Sequence, residues 1–446
     1  PDSARPLCAS GYCVPCTSVL PVAEADSQCR ELGSAEALPT LAACVRDGTR
    51  KGQCGECRKP MPTGDPKGVA CGDPLRPVCD GGACRACRQH SECEVSGVCN
   101  DGSSLVDGPE AGGVAVGQCL PKEKVSFVDG AHCPAGGSGA DGSLERPYCE
   151  IDAAARAMNG RGGYIVVRPH QTSSQTYAVF SVIDGKRTVV IGPGRDGPAL
   201  LRGASASGAG TNLVLVDVSI ESSGASAALA CSSGARLSLT RGAVDAKAQT
   251  TLGVDATACD RVEIAESQLV RSRGQAVRIG TGTRSYRIVN TLIMNSAASG
   301  PSAVSIANGA SGSFAWNTLI NNGPMGMDGG GVSCEASSMP LLSDSLIVQN
   351  SRSNRTDPRG NPAGTQFTGS CRLQRVVVGI DGAIYTAPGA AIAAIPDLDG
   401  RLRLMDTPNN VTCCVDKGPC DELKQDYFGN ERPKGKGCDL GAHELR

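Results

Sequence analysis

From about residue 160 onward, short runs of Val, Ile and Leu alternate with polar residues at a period of two, and Gly, Ser, Thr and Asn separate the runs. This pattern predicts β-strands, because alternate side chains of a strand point to opposite faces of a sheet. One phrase recurs: VNTLIMNS at residues 289–296 returns as WNTLINNG at residues 316–323. Copies of a strand with its flanking turns therefore follow one another along the chain.

The strands recur with a period near 25 residues. One apolar position repeats after steps of 24, 25, 24, 27 and 27 residues, at Ile220, Val244, Leu269, Ile293, Ile320 and Ile347. A second repeats after steps of 23, 27 and 28 residues, at Val254, Val277, Val304 and Val332. A coil that advances by one strand spacing, about 4.8 Å, per turn has such a period. A propeller blade needs about 40 residues, and the signature of leucine-rich repeats is absent. The sequence therefore predicts a mainly β fold, a parallel β-helix.

The same register predicts a polar column along the coil axis. Its members are expected at one corner of successive coils, where amides and opposite charges bond from coil to coil: Asp217, Arg241, Glu266, Asn290, Asn317 and Asp344. Glu263 and Arg287, which are 24 residues apart, are likewise expected to form an ion pair on a solvated face. A structural ladder of this kind accounts for the recurring Asn without any catalytic role.

Twenty-four Cys residues in a chain of 446 favour an oxidising compartment, where disulfides persist. They fall into even local groups, which predicts local pairing. In the β-helix register, Cys231 and Cys334 occupy the slot held by Ile306, and Cys259 and Cys371 lie close to one coil further on. We therefore expect disulfides 231–259 and 334–371 to join neighbouring coils. The other disulfide candidates beyond residue 123 are Cys133, Cys149, Cys413, Cys414, Cys420 and Cys438.

Residues 1–123 contain no Phe, Trp or Ile, so little apolar area is available for a core. Fourteen Cys residues lie in this stretch, and the motif CASGYCVPC at residues 8–16 returns as CDGGACRAC at residues 79–87. We predict tandem disulfide-stapled modules over 1–123 and a β-helical unit over 124–446. Zinc binding and redox chemistry by the C-x-x-C pairs are less favoured, because neighbouring Cys residues form no further pairs of that spacing and no βαβ pattern surrounds them.

Both ends of the second unit resemble a known family. Residues 127–170 are similar to the opening segment of bacterial secreted right-handed β-helices, in which an amphipathic helix, here around Ile151 to Met158, caps the coil. Residues 399–445 resemble the terminal segment of the choice-of-anchor β-helix family (Q type), with its signatures at Asp426, Gly429, Arg432, Pro433, Asp439, Gly441, Ala442 and Glu444. The resemblance implies a right-handed coil, capping segments at 124–160 and 396–446, and a bacterial protein tied to the cell surface.

The chain opens with PDSARPLC, as expected of an exported chain whose signal peptide has been removed, and no apolar stretch approaches the roughly 20 residues of a transmembrane helix. The net charge of −2 without a long basic run argues against nucleic acid as a partner. The Asp-Gly turns at Asp129–Gly130 and Asp399–Gly400 offer carboxylates to calcium, but turn formation alone accounts for them, so we expect no cofactor.

Catalysis must be weighed against a structural role, because many right-handed β-helices cleave acidic polysaccharides. The nearest approach to a lyase-like site is a dispersed set of charges: Asp217, Glu263, Glu266, Asp344, Arg241, Arg271, Arg278 and Arg287. Four His residues and 3% aromatic residues give little support to a His metal site, a catalytic triad or a sugar-stacking platform.

We assign no catalytic, cofactor-binding or metal-binding residue from the sequence. The expected function is that of an extracellular or cell-surface structural or adhesive scaffold, which presents a rigid rod to a glycan, a surface protein or another copy of itself. Two alternatives stay open. One is a polysaccharide lyase or glycoside hydrolase acting on an acidic polysaccharide, and the other is a subunit of an extracellular filament.

Overall fold

The computed structural model divides the chain into two compact units, Pro1–Val125 and Ser126–Arg446. The described residues comprise 124–158, 162–169, 176–183, 185–193, 200–222, 226–248, 250–297, 302–323, 330–335, 340–348, 350, 367–379, 391–393, 396–420 and 424–445, together with short pieces of 7–120.

In the first unit, the described strands form short antiparallel hairpins, which are Leu7–Ala9 with Tyr12–Val14, Ala43–Cys44 with Cys54–Gly55, and Val78–Asp80 with Ala83–Arg85. The two copies of the repeated Cys motif adopt the same hairpin register, because Cys8 lies opposite Cys13 and Cys79 lies opposite Cys84. Disulfides 71–84, 87–99 and 93–119 span 13, 12 and 26 residues, so pairing in this part of the unit is local.

Among the described residues of the second unit, three parallel sheets stack strand upon strand, and each coil adds one strand to each sheet in turn. Sheet A contains Val125–Val128, Gly162–Val167, Arg187–Ile191, Asn212–Val216, Arg236–Thr240, Arg261–Ala265, Ser285–Val289, Ser311–Ala315, Leu341–Ser343 and Arg372–Gln374. Sheet B contains Thr176–Tyr177, Leu200–Leu201, Ser219–Glu221, Ala243–Asp245, Gln268–Val270, Leu292–Met294, Thr318–Ile320, Leu346–Val348, Val376–Gly379 and Ala391–Ala393. Sheet C contains Phe180–Val182, Ala204–Ser207, Ala227–Ser232, Leu252–Ala256, Val277–Ile279, Val304–Ile306, Val332–Cys334 and Phe367–Gly369. The predicted mainly β, parallel β-helical fold is confirmed.

Alternate residues of the strands face the interior of the coil and stack into apolar columns. In sheet C, the successive partners Val254, Val277, Val304 and Val332 are all 0% exposed. Full burial of a side chain of this size contributes about 1.5 to 3 kcal/mol, so each coil gains a term of this size from every such column.

The inner column of sheet B departs from the expected register at one place. The successive partners Ile220, Val244, Leu269 and Ile293 stack as expected. Ile293 then pairs with Leu319, and Leu319 pairs with Ile347. The prediction that Ile320 continues the column was wrong, because the coil after Ile293 contains 26 residues instead of 27. Ile320 consequently points outward, since side chains alternate along a strand.

A short helix α1, Ile151–Ala157, covers the interior of the first coil. Ile151 and Ala154 are 0% exposed and belong to the main core, and the helix packs against the strands 162–167 and 180–182. On the opposite face, Arg156 and Asp152 form an ion pair of 2.6 Å. This amphipathic helix lies where the sequence predicts one. A 3₁₀ turn, Ala135–Gly137, precedes it.

The C-terminal segment, which we define as residues 396–445, contains helix α2, Pro408–Cys413, and lies along the outer side of sheet B. Its Leu404, Cys413, Cys414 and Leu440 pack on the outward-facing Ile320, Leu346, Val348 and Val377. Hydrogen bonds join it to the coils, from the Ala442 amide to Thr318 Oγ1 (3.0 Å) and from the Gly441 amide to the Asp344 carbonyl (2.8 Å). The segment that the resemblance implied as a cap therefore contacts several successive coils from the side.

Candidate functional site

The corner between sheets A and B holds the polar column expected from the sequence, with one change. In each of several successive coils, one non-glycine residue adopts a left-handed backbone with φ between 50° and 53°, and these residues are Asp217, Arg241, Glu266, Asn290, Trp316, Asp344 and Arg375. Trp316 occupies the slot assigned to Asn317, because Val289 pairs with Ala315 and Asn290 is therefore level with Trp316. Asn317 lies one position further on and outside this column.

Asn317 instead belongs to a second column, whose side chains form hydrogen bonds with backbone groups of the adjacent coils. Its amide nitrogen donates to the Ile288 carbonyl at 2.8 Å, and its Oδ1 accepts from the Thr291 amide at 2.9 Å. Ser345 Oγ in turn accepts from the Asn317 amide at 3.0 Å. The repeated Asn-Thr-Leu-Ile phrase led to a predicted pairing that is one residue out, because Asn suits both the corner column and the second column. Asn tolerates a left-handed backbone, and its side-chain amide can bridge two coils.

A parallel column of buried Asn lies at the other end of the sheet B strands. Asn322 Nδ2 donates to the Ile293 carbonyl at 2.9 Å and to Asn350 Oδ1 at 2.8 Å, while its Oδ1 accepts from the Ser296 amide at 2.9 Å. Asn322 and Asn350 are both 0% exposed. Because a buried unpaired amide is costly, these bonds fix the stacking of the coils.

The dispersed charges form ion pairs between adjacent coils. Arg241 binds Asp217 with two hydrogen bonds of 2.9 Å, and Arg375 binds Asp344 with bonds of 2.5 and 3.0 Å. The expected pair of Glu263 with Arg287 is present at 2.9 Å. Further pairs of this kind join Asp245 with Arg271 and Asp255 with Arg278.

In the described part of the chain, the charged side chains that a lyase-like site would need are held in separate pairs. The hydrogen bonds that Arg271 and Arg278 donate to the Asp245 and Asp255 carboxylates raise the pKa of both guanidiniums, so both stay charged and paired. No three described carboxylates bring their oxygens within 4.8 Å of one another. The predicted charges are thus distributed as pairs along the rod and do not converge on one point.

Six of the eight residues that carry the resemblance in the C-terminal segment are buried there, namely Asp426, Arg432, Asp439, Gly441, Ala442 and Glu444, whereas Gly429 and Pro433 are exposed. The Asp426 carboxylate accepts hydrogen bonds from the amides of Phe428, Asn430 and Glu444 at 2.8, 2.7 and 2.8 Å. Arg432 donates to the Gly441 carbonyl at 2.8 Å, next to the amide that binds the coil. The cluster therefore shapes the loop that docks on sheet B.

Burial perturbs the ionisation of this cluster. It lowers the pKa of His443 to about 4, and Nδ1 of the neutral imidazole accepts a hydrogen bond of 3.0 Å from the Leu404 amide. Burial also raises the pKa of the Asp439 and Glu444 carboxyls and lowers that of the Arg432 guanidinium. All four of these ionisable side chains are at most 7% exposed, so a polymeric substrate has no access to them.

Two sets of side chains with the atoms of metal ligands take part in other bonds. The sulfurs of Cys87, Cys93 and Cys119 lie within 4.8 Å of one another, but all three belong to disulfides and supply no thiolate. The Asp129 carboxylate accepts from the amides at 131 and 132, at 3.0 and 3.1 Å, and Asp399 accepts from the amides at 401 and 403, at 2.8 and 2.9 Å. Both Asp-Gly carboxylates therefore close their own turns.

All ten candidate Cys residues beyond residue 123 are disulfide-bonded. Cys231–Cys259 and Cys334–Cys371 link neighbouring coils, with Cα atoms 5.7 and 5.3 Å apart. The other bonds are Cys133–Cys149, Cys413–Cys414 and Cys420–Cys438. The described part of the chain contains no free Cys.

The outward apolar residues of sheet B are a feature that the sequence reasoning missed. Leu346 and Val348 flank the inward Ile347, so the strand is apolar on both faces, whereas the earlier strand Ala243–Asp245 ends in a charge. A strand buried on both faces reads as a continuous apolar run, and this signal marks the coils that the C-terminal segment covers.

No described helix is long and apolar enough to cross a bilayer. Comparison of the chain with protein-family models, with curated proteins and with solved structures finds no match.

Proposed function

We propose that this chain is an extracellular or cell-surface scaffold of a structural or adhesive kind, which presents the side of a rigid β-helical rod to a partner. The observation that carries the proposal is the pairing of acidic side chains with Arg of the adjacent coil, as in Asp217–Arg241 and Glu263–Arg287. A carboxylate held by a guanidinium is a poor general acid or base, but it contributes to a firm, mixed-charge surface.

The disulfides support the placement outside the cytoplasm. Cys231–Cys259 and Cys334–Cys371 cross-link coils of the rod, and such bonds persist in oxidising compartments. The likeness of the C-terminal segment to the choice-of-anchor family favours a bacterial cell surface as the location.

The test exposes the full chain to a glycan array and, in parallel, to a polysaccharide depolymerisation screen that measures new reducing ends and unsaturated products. A scaffold retains one class of glycan, or a purified surface protein, without cleaving it. Cleavage of any polymer would overturn the proposal in favour of a lyase or hydrolase, and loss of that cleavage in Glu263→Gln but not in the control Glu335→Gln would locate the reaction at sheet A. Electron microscopy of the same sample shows whether the partner is another copy of the chain.

A further inference from the structure

The outer face of sheet A carries two neighbouring columns of polar side chains. Successive partners in the first column are Arg236, Arg261, Ser285 and Ser311, and in the second they are Ser238, Glu263, Arg287 and Ser313. Asp260 and Arg284 precede the strands of their coils and lie beside the first column. None of the eight side chains in these two columns is aromatic.

The charges on this face are unbalanced. Asp260 is contacted by Arg236 at 2.7 Å and by Arg284 at 3.5 Å. Glu263 is contacted by Arg287 at 2.9 Å and by Arg261 at 3.1 Å. Four guanidiniums therefore face two carboxylates.

The excess guanidiniums are accessible to a partner. The side chains of Arg236, Arg261 and Arg284 are 58, 54 and 84% exposed, while those of Asp260 and Glu263 are 25 and 17% exposed. The two carboxylates thus lie closer to the sheet, and the guanidiniums that they bind are more exposed to solvent. Each guanidinium has five N–H donors, of which one or two are used here, so donors remain for an anion.

The surroundings favour a sugar polymer as the carrier of that anion. Ser238, Ser285, Ser311 and Ser313 place hydroxyl oxygens beside the guanidiniums. Ser285 and Ser311 donate to the Asp260 and Arg284 carbonyls, so their oxygens remain as acceptors for the hydroxyls of a polysaccharide. A single-stranded nucleic acid would instead gain affinity from aromatic side chains that stack on its bases, and the two columns supply none. A linear polymer along the rod axis can contact the guanidiniums of successive coils at once.

We propose that this arginine patch, made of Arg236, Arg261, Arg284 and Arg287 on sheet A, binds an acidic polysaccharide through its sulfate or carboxylate groups. The inference rests on the proposed scaffold function and names the chemistry of its partner. Binding weakens as salt screens the guanidiniums, and it involves no bond cleavage.

The test measures binding of the full chain to immobilised dextran sulfate, polygalacturonate, uncharged dextran and oligothymidylate at low and physiological salt. In the variant Arg261→Gln/Arg284→Gln, the excess cations are removed and the one-to-one pairs Arg236–Asp260 and Arg287–Glu263 remain. The control Arg146→Gln/Arg156→Gln removes the same charge from exposed positions outside sheet A. We expect the patch variant to lose at least about tenfold in affinity for one of the charged polymers, and the control to change little. Circular dichroism checks that both variants are folded.

The outcomes separate this inference from the scaffold proposal. Preference for dextran sulfate or for polygalacturonate identifies the anionic group. Equal binding to uncharged dextran, unchanged binding by the patch variant, or equally tight Arg-dependent binding to oligothymidylate would each overturn the inference. If the glycan array or the surface-protein assay gives a partner while both charged polymers fail, the scaffold proposal stands without the patch. If no glycan, surface protein or self-association is found, both fail.

Discussion

Truncation of Val348 to Ala should destabilise the protein far more than the same truncation of Val270. The two residues occupy the same outward column of sheet B, through the successive partners Val270, Met294, Ile320 and Val348. Val348 is 1% exposed beneath the C-terminal segment, whereas Val270 is only partly buried. Removal of two carbons costs about 1.6 kcal/mol in transfer free energy and, with the cavity that remains, about 2 to 3 kcal/mol at Val348. Without an enclosed cavity, Val270→Ala should cost less than about 1 kcal/mol.

The single Trp of the chain offers an assay for this difference. Trp316 lies between Asn290 and Asp344, and both of these bond the C-terminal segment, through the Gln425 carbonyl at 3.0 Å and the Gly441 amide at 2.8 Å. Urea titration followed by Trp fluorescence should therefore shift to a lower midpoint in Val348→Ala, and limited proteolysis should release the segment earlier. Equal midpoints for the two variants would refute the lateral docking of the C-terminal segment.

Three further predictions concern the columns, the buried cluster and the disulfides. Asn322→Ala should cost about 2 to 3 kcal/mol in unfolding free energy by urea titration, because three buried partners lose their bonds, while Asn321→Gly, at a left-handed position, should be nearly neutral. For His443, whose folded pKa of about 4 lies below the unfolded value of about 6.5, the neutral form contributes stability above pH 6.5, and about 3 kcal/mol of it is lost as pH falls toward 4. The raised pKa values of nearby carboxyls act in the opposite direction, so the effect is read as the difference from His443→Asn, and identical pH profiles would contradict it. The double variant Cys231→Ala/Cys259→Ala removes a disulfide that joins residues 28 positions apart. Its free energy of unfolding should be lower by about 3 to 4 kcal/mol, as measured by thermal unfolding in parallel with the parent protein.

The interior of the rod was predictable because burial imposes a simple pattern. Inner residues such as Val277 and Val304 alternate with polar ones, and they recur whenever the coil returns to the same sheet. The same periodicity was enough to pair Glu263 with Arg287 and to bring Cys231 near Cys259. Each of these contacts lies one coil apart, so a local count along the chain determines it.

The position of the C-terminal segment was only partly predictable. The apolar outward residues Leu346 and Val348 signal that something covers these coils, but they do not say what. The contacts that answer the question, such as Asn290 with Gln425, join residues 135 positions apart. No local pattern encodes a contact of that separation, and the family resemblance implied only a capping segment.

The error at Asn317 shows which columns set the register of the rod. The left-handed corner accepts Asp, Arg, Glu, Asn and even the bulky Trp316, whose ring packs on Ala265, Val289 and Ala315. Because this corner position accepts such different side chains, it cannot determine which residues of adjacent coils pair. A slip of one residue would, however, move Ile293 from the core to the surface and leave the bonds of Asn317 unmade. The inner apolar and amide columns therefore determine how the coils stack, whereas the outer corner accepts side chains of either charge.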